Sequence, residues 1–256
     1  MATDLAAAAA ALLEARRSRQ WLRELPAGAR PQTAEEVAEI QALVAAGLAE
    51  AGLGPIAGWK VGAANPQAEP SGVPLHAGQL RFDATPYAAA EFNLTGIEAE
   101  IGYRLAADLP PREAPYSREE VLAAIATLHP TIELVDSRFE RLAITDPLSH
   151  AADQVNHGGL VVGPAVQDWQ AIDPPNTPVR LTFNGKVAVE HVGGNSAGEP
   201  IRLIQWLANG GEKRFGGLKA GMVITTGSCT GLLLVPAGTE VRAEFTGVGV
   251  VETSIR

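Results

Sequence analysis

The stretch Gly96-Ile97-Glu98-Ala99-Glu100-Ile101-Gly102-Tyr103 sets two acids two residues apart inside an apolar run. In a helix, positions i and i+2 diverge; in a strand they share a face. The β-forming residues here predict a strand from Ile97 to Leu105. Extended, Glu98 and Glu100 send both carboxylates to one side, while Ile97, Ala99 and Ile101 go to the other. Like charges held this way repel, and burying them is costly unless something neutralises them. The chain must therefore either leave this face to solvent or build a cation site on it.

A second run, Thr131-Ile132-Glu133-Leu134-Val135-Asp136, repeats the pattern of an acid inside an apolar strand. Glu98, Glu100 and Glu133 together would make an all-oxygen site, suited to Mg²⁺ or Mn²⁺ and not to zinc. Spacing alone does not force the three to converge, and each taken singly fits a solvated sheet face.

Lys60 lies in Gly58-Trp59-Lys60-Val61-Gly62, a short strand between glycines. It reads either as a counter-cation near the acids or as a surface lysine with a snorkelling stem. Thr226-Gly227-Ser228-Cys229-Thr230-Gly231 follows a strand and offers backbone N–H groups to an anion, through Gly227, Ser228 and Thr230. Taken alone, the same residues make an ordinary turn. His76, in an irregular segment, and His157, in the polar run 153–159, read as general acid or base candidates or as surface residues. No histidine pair has zincin spacing, and no nucleophile elbow, Walker A or dinucleotide fingerprint occurs.

The formal net charge of −9 argues against a nucleic-acid partner. Cys229 is the only cysteine, which excludes an intrachain disulfide and a thiolate metal site. The Ala/Leu run from Leu5 to Leu13 has its positive charges after it, unlike a signal peptide, and no segment reaches membrane-spanning length. A cytoplasmic protein is expected, with no membrane partner.

Periodicity predicts a helix over 4–24 and a second opened by the Thr33/Glu36 capping box, with Val37, Ile40, Val44 and Leu48 on one face. Residues 63–90 read as irregular. Ser117 and Glu120 open a short helix carrying Val121, Leu122, Ile125 and Leu128, ended by Pro130. The C-terminal half reads as β: a strand at Leu160–Gly163, a hairpin about Asn184-Gly185, a helix after Pro200, and strands at Met222–Thr226 and Glu240–Val251. The organisation is an N-terminal helical layer, 1–55, and a mixed β catalytic core, 56–256, forming one cooperative domain.

Gly58–Gly62, Gly96–Ile101, Ile132–Arg138, Trp206–Asn209 and Thr226–Gly231 occur in this order. Together they make the chain resemble the 2-keto-4-pentenoate hydratase and 2-oxo-3-hexenedioate decarboxylase family, within the fumarylacetoacetate hydrolase superfamily. The resemblance spans nearly the whole chain. It implies an α+β fold with a mixed β-roll core of the fumarylacetoacetate hydrolase C-terminal type behind a helical layer. It also implies Mg²⁺ or Mn²⁺ on Glu98, Glu100 and Glu133, an active-site Lys60, and the turn at Ser228 and Thr230. Its activity would be a lyase reaction on a small 2-oxo acid, within meta-cleavage breakdown of aromatic compounds. A homo-oligomer is implied, as is a complex with a related pathway enzyme.

The reaction expected first is hydration of 2-hydroxypenta-2,4-dienoate. The alternatives are 2-oxo-3-hexenedioate decarboxylation, acylpyruvate-type C–C hydrolysis, and a non-catalytic complex subunit. Val73–Gly78 and Ala152–Asn156 depart from the family pattern, at positions where substrate and proton-transfer groups are expected.

Overall fold

The computed structural model describes residues 2–82, 84–142, 146–211 and 215–256. Its centre is an eight-stranded mixed sheet. Six of its strands are β1 (Ile56–Gly62), β2 (Ser71–His76), β3 (Leu80–Phe82), β4 (Gly96–Leu105), β5 (Ile125–Val135) and β6 (His157–Val162). The antiparallel hairpin β7 (Pro178–Phe183) and β8 (Lys186–Val192) lies in a second sheet. Next come β9 (Val223–Ser228), β10 (Leu233–Leu234), β11 (Thr239–Phe245) and β12 (Gly249–Ile255). The large sheet runs β2-β1-β9-β4-β5-β6-β3, with β10 added on β4, and the four-stranded sheet runs β12-β11-β7-β8.

Strand parity decides what each face of the large sheet carries. Ile97, Ala99, Ile101 and Tyr103 of β4 join Ile132 and Leu134 of β5 in one buried cluster with Val179, Leu181, Val241 and Ala243 of the small sheet. Burying one side chain of this size contributes about 1.5–3 kcal/mol. The apolar face of the large sheet is thus closed by the small sheet, and Glu98, Glu100 and Glu133 are left on the other. Gly58 permits the close β1–β9 approach: a Cβ there would lie 2.3 Å from the Val223 carbonyl oxygen.

The helical layer holds α1 (Leu5–Ser18) and α2 (Ala34–Leu48). The Asp4 side chain caps α1, and Arg19 in the left-handed region ends it well short of the expected residue 24. Thr33 caps α2 through the Glu36 N–H, while the Glu36 carboxylate accepts from Gln32 N–H instead of closing the reciprocal box. Ala8, Leu12, Ile40 and Val44 pack with Phe139 and with Ala152 of α4 (Pro147–Ala152).

Three further expectations change. The helix at Ser117 is only α3 (Arg118–Ala123); Ile125 and Leu128 belong to β5, whose pairing with β4, with a bulge at Ala126, overrides their helical spacing. Pro130 sits inside that strand. Its carbonyl accepts from Gly163 N–H, so the missing N–H lies on the β6 side and the β4 ladder loses nothing. Residues 63–90 are not structureless, because β2 and β3 pair with β1 and β6. Glu240–Val251 is two strands, turned at Gly247 with φ +78°. The Asn184-Gly185 hairpin turns as expected, with φ of 50° and 76°. α5 (Ile201–Trp206) follows Pro200.

Candidate metal centre

Glu98 and Glu133 are direct cross-strand partners, and Glu100 lies two residues along β4. One carboxylate oxygen from each falls within 4.8 Å of the others. Glu100 and Glu133 are fully buried, and Glu98 is half-buried. The Lys60 ammonium donates to Glu133 Oε1 at 2.8 Å and to the Val155 carbonyl at 3.2 Å. His157 Nδ1 lies 3.0 Å from the same Glu133 oxygen. On Glu100, Oε2 accepts from the Thr225 hydroxyl and from Gly227 N–H at 3.1 Å.

Two oxygens of this cluster, Glu100 Oε1 and Glu133 Oε2, are buried with no hydrogen-bond partner among the described residues. Buried acceptors are normally satisfied, so two such oxygens on neighbouring carboxylates fit the donor set of a divalent cation. Burial, then the Glu133 charge, push Glu98 up to about 7 and Glu100 up to about 8. Burial pulls Lys60 down, but the three glutamates more than offset it, so its ammonium titrates above the ordinary lysine value. Burial pulls His157 well below the usual imidazole range and keeps it neutral, so its Nδ1–H donates to Glu133.

The structure brings Lys60, His157 and Gly227 to the three acids. His76 hydrogen-bonds none of these acids: its Nδ1 meets the Gly54 carbonyl at 2.8 Å. The turn at Gly227 does hold a carboxyl group, that of Glu100. Ser228 lies close enough to Glu98 to hold its raised pKa back slightly, and the Thr230 hydroxyl pins the β4 backbone by accepting from Ala99 N–H. Thr225 and the Val155 carbonyl were not legible in the sequence. Nor was Asn195, whose amide donates to the Thr226 and Gly227 carbonyls at 2.7 and 3.2 Å.

Val155 sits in an unusual segment. Gln154, Val155 and Asn156 have φ of 52°, 47° and 60°, three consecutive non-glycine residues in the left-handed region. Each costs roughly 1–2 kcal/mol, so the surroundings must impose them. Asp153, just before them, is gripped by Arg138: the backbone N–H donates to Oδ2 at 3.0 Å, Nε to Oδ1, and Nη2 to the Asp153 carbonyl at 2.8 Å.

The raised glutamates predict how the metal-free protein responds to pH. Their folded values lie above the unfolded 4.5, so the stability they contribute is complete below 4.5 and is lost as pH rises through 7 to 8. The buried histidines act oppositely, below their ordinary 6.5. Between pH 6.5 and 8.5, melting in a chelator should therefore show a falling midpoint. Excess Mg²⁺ should flatten that fall, as should Glu100→Gln in the metal-free protein. A midpoint that rises in chelator across this window would contradict the carboxylate cluster.

Two buried acids, a half-buried third and a half-buried lysine on one face of a mixed sheet form a cluster of the kind that could hold a divalent cation. The chain belongs to the family described as fumarylacetoacetate (FAA) hydrolase C-terminal, which matches residues 76–256. It is 33% identical over 156 residues to a 2-hydroxyhexa-2,4-dienoate hydratase of Comamonas testosteroni, covering 59% of this chain and 56% of that one. It is 28% identical over 231 residues to a 4-oxalocrotonate decarboxylase of a Pseudomonas species, covering 87% of each. The match to the hydratase spans little more than half of that relative's length. The solved 4-oxalocrotonate decarboxylase of Pseudomonas putida G7, complexed with magnesium and adipate, superposes with a TM-score of 0.85 at 24% identity, covering 98% of this chain and 97% of that one. No helix among the described residues is long and apolar enough to cross a membrane.

Proposed function

We propose that this chain is a divalent-metal-dependent lyase that hydrates 2-hydroxypenta-2,4-dienoate to 4-hydroxy-2-oxopentanoate. Glu98, Glu100 and Glu133 would hold Mg²⁺ or Mn²⁺, as their orphaned oxygens and all-oxygen donor set favour. Bound there, the ion supplies Lewis acidity to a 2-oxo acid and stabilises enolate charge.

The chain's own residues supply the rest. Lys60 is a half-buried cation at the edge of the acids, placed to meet a substrate carboxylate or developing oxyanion. His157 fixes Glu133 through its Nδ1–H and acts as a positioning residue. The Thr225 hydroxyl and Gly227 N–H fix Glu100 in the same way.

The observation that carries hydration over decarboxylation is the cavity beside Lys60. β1–β2 register puts Ser71 opposite Gly62 and Val73 opposite Lys60, so these four residues face the glutamate side of the sheet. They line a cavity of about 220 Å³ with Ala63, Ala64, Gly72 and Val155. Among the described residues, Lys60 is its only charged group. A dicarboxylate would need a second cation at its far end, because an unpaired carboxylate there is costly to desolvate. A vinyl or methyl terminus needs none. Ser196, through the Ala63 carbonyl, and Arg202, through the Asn65 and Ala68 carbonyls, hold the loop that closes this cavity.

An assay with Mg²⁺ on 2-hydroxypentadienoate, a 2-oxohexenedioate and an acylpyruvate tests the reading. Turnover of the monocarboxylate should exceed that of the dicarboxylate by at least roughly a hundredfold, the order expected of an uncompensated buried charge. Preference for the dicarboxylate would replace hydratase by decarboxylase. Cleavage of the acylpyruvate alone would make it a hydrolase, and activity with none of the three would favour a structural subunit.

The proposal includes a homo-oligomer and one cooperative domain spanning layer and core. The edge strand β8, with Val187 and Val192 exposed, is a surface that pairing with a second copy would cover.

A further inference from the structure

A second cavity, of about 170 Å³, opens between the C-terminus of α1, the turn joining β2 to β3, and the start of β6. Its polar lining is dominated by donors. Arg16 donates to the His157 carbonyl at 3.0 Å and has no carboxylate within ion-pair distance among the described residues. The Arg19 guanidinium is exposed and has no partner among them. Gln79 is 3% exposed; its Oε1 accepts from His76 N–H, which fixes the amide and leaves Nε2 as a buried donor with no acceptor among the described residues.

The acids in the wall are already engaged. Glu91 pairs with Arg81 at 2.6 Å, and Arg81 stacks on the Tyr87 ring 3.6 Å away. Asp136 Oδ1 accepts from the Asn93 and Leu94 N–H groups, each at 2.9 Å, and its Oδ2 faces Arg138. Burial, together with the neighbouring Arg138, pulls Arg16 down to about 9, as befits a cation short of a counter-ion. This surplus of guanidinium stands out in a chain whose formal net charge is −9.

We propose that this cavity binds a small oxyanion, a carboxylate or a phosphate, through the guanidinium groups of Arg16 and Arg19 and the free Nε2–H of Gln79. Planar guanidinium forks match the paired oxygens of either anion, and a buried amide donor selects for an acceptor at the cavity floor. The site is distinct from the carboxylate cluster, to which it is linked by the Arg16 contact with the His157 carbonyl.

The test is calorimetric titration of the full chain with inorganic phosphate and, separately, with acetate. Ionic strength is fixed, and each titration is run with and without Mg²⁺. Saturable binding of either anion is expected. Arg19→Ala and Gln79→Leu should each weaken it roughly tenfold, the scale of one hydrogen bond to a charged group. Arg19 is exposed, so its variant should fold whatever happens to the other. Lys60→Gln should leave the affinity unchanged. Tighter phosphate or tighter acetate identifies which oxyanion the cavity prefers. No saturable binding, wild-type affinity in both cavity variants, or loss of binding in Lys60→Gln would overturn the proposal.

Discussion

Glu133→Gln is expected to abolish divalent-cation binding and to lower turnover by at least about a thousandfold, given the several kcal/mol that a Lewis-acidic ion contributes. Glu133 is the hub of the centre. Its Oε1 receives both the Lys60 ammonium and His157 Nδ1, and its Oε2 is one of the two orphaned oxygens that fit a cation. Glutamine removes the charge from both tasks. Lys60 then loses the partner that most offsets its burial, and its affinity for a proton falls. The loss should therefore appear twice, as absent Mn²⁺ binding by calorimetry and as a lysine that titrates lower. The amide is close in shape, so the fold should persist, with circular dichroism unchanged. A folded Glu133→Gln protein that still binds Mn²⁺ and turns over at the wild-type rate would remove Glu133 from the centre.

The clustering of acids was legible because strand geometry is simple. A period of two puts Glu98 and Glu100 on one face whatever the rest of the chain does, and the same parity fixes Lys60 against Trp59 and Val61. What sequence could not supply was register. Glu133 meets Glu98 only because β5 pairs β4 at that offset, which depends on Ile132 and Leu134 reaching the core together with Ile97 and Ala99.

Main-chain groups were less legible still. The Val155 carbonyl touches Lys60, but a carbonyl has no sequence identity, and a β-branched residue is the least expected type in a left-handed turn. Local propensity points away from that conformation, so only tertiary restraint explains it. The helices failed in a related way. Ile125 and Leu128 keep helical spacing, which in a regular strand would put them on opposite faces; a bulge at Ala126, where Arg104 faces Thr127 and Leu105 faces Ile125, lets both reach the core within β5.

The restraint on that turn is the buried Arg138–Asp153 pair, and removing it carries the largest expected cost in stability. Both side chains are about 1–2% exposed. Asp153 takes Arg138 Nε and the Arg138 backbone N–H on its two oxygens, and the Ser137 hydroxyl adds a 3.3 Å contact. Asp153→Ala leaves the buried Arg138 guanidinium with only the longer 3.6 Å contact to Asp136 as its carboxylate partner, beside Arg16, a half-buried cation that Asp153 also helps to offset. Breaking one partner of a buried pair typically costs about 3–5 kcal/mol, a sizeable part of a total near 5–15. In a chain of this size that corresponds to a fall of roughly 10 °C in melting temperature.

The double replacement Arg138→Met with Asp153→Leu removes both charges and should recover much of the loss, so the two changes should not add. The catalytic consequence follows from the same contacts. Without the grip on Asp153, the strained turn can relax and the Val155 carbonyl can leave Lys60. Turnover at low temperature, where Asp153→Ala is still folded, should then fall even with Mg²⁺ bound. Denaturant unfolding of the single and double variants measures the first effect, and a stability loss under about 1 kcal/mol in Asp153→Ala would show that the turn is held by something other than this pair.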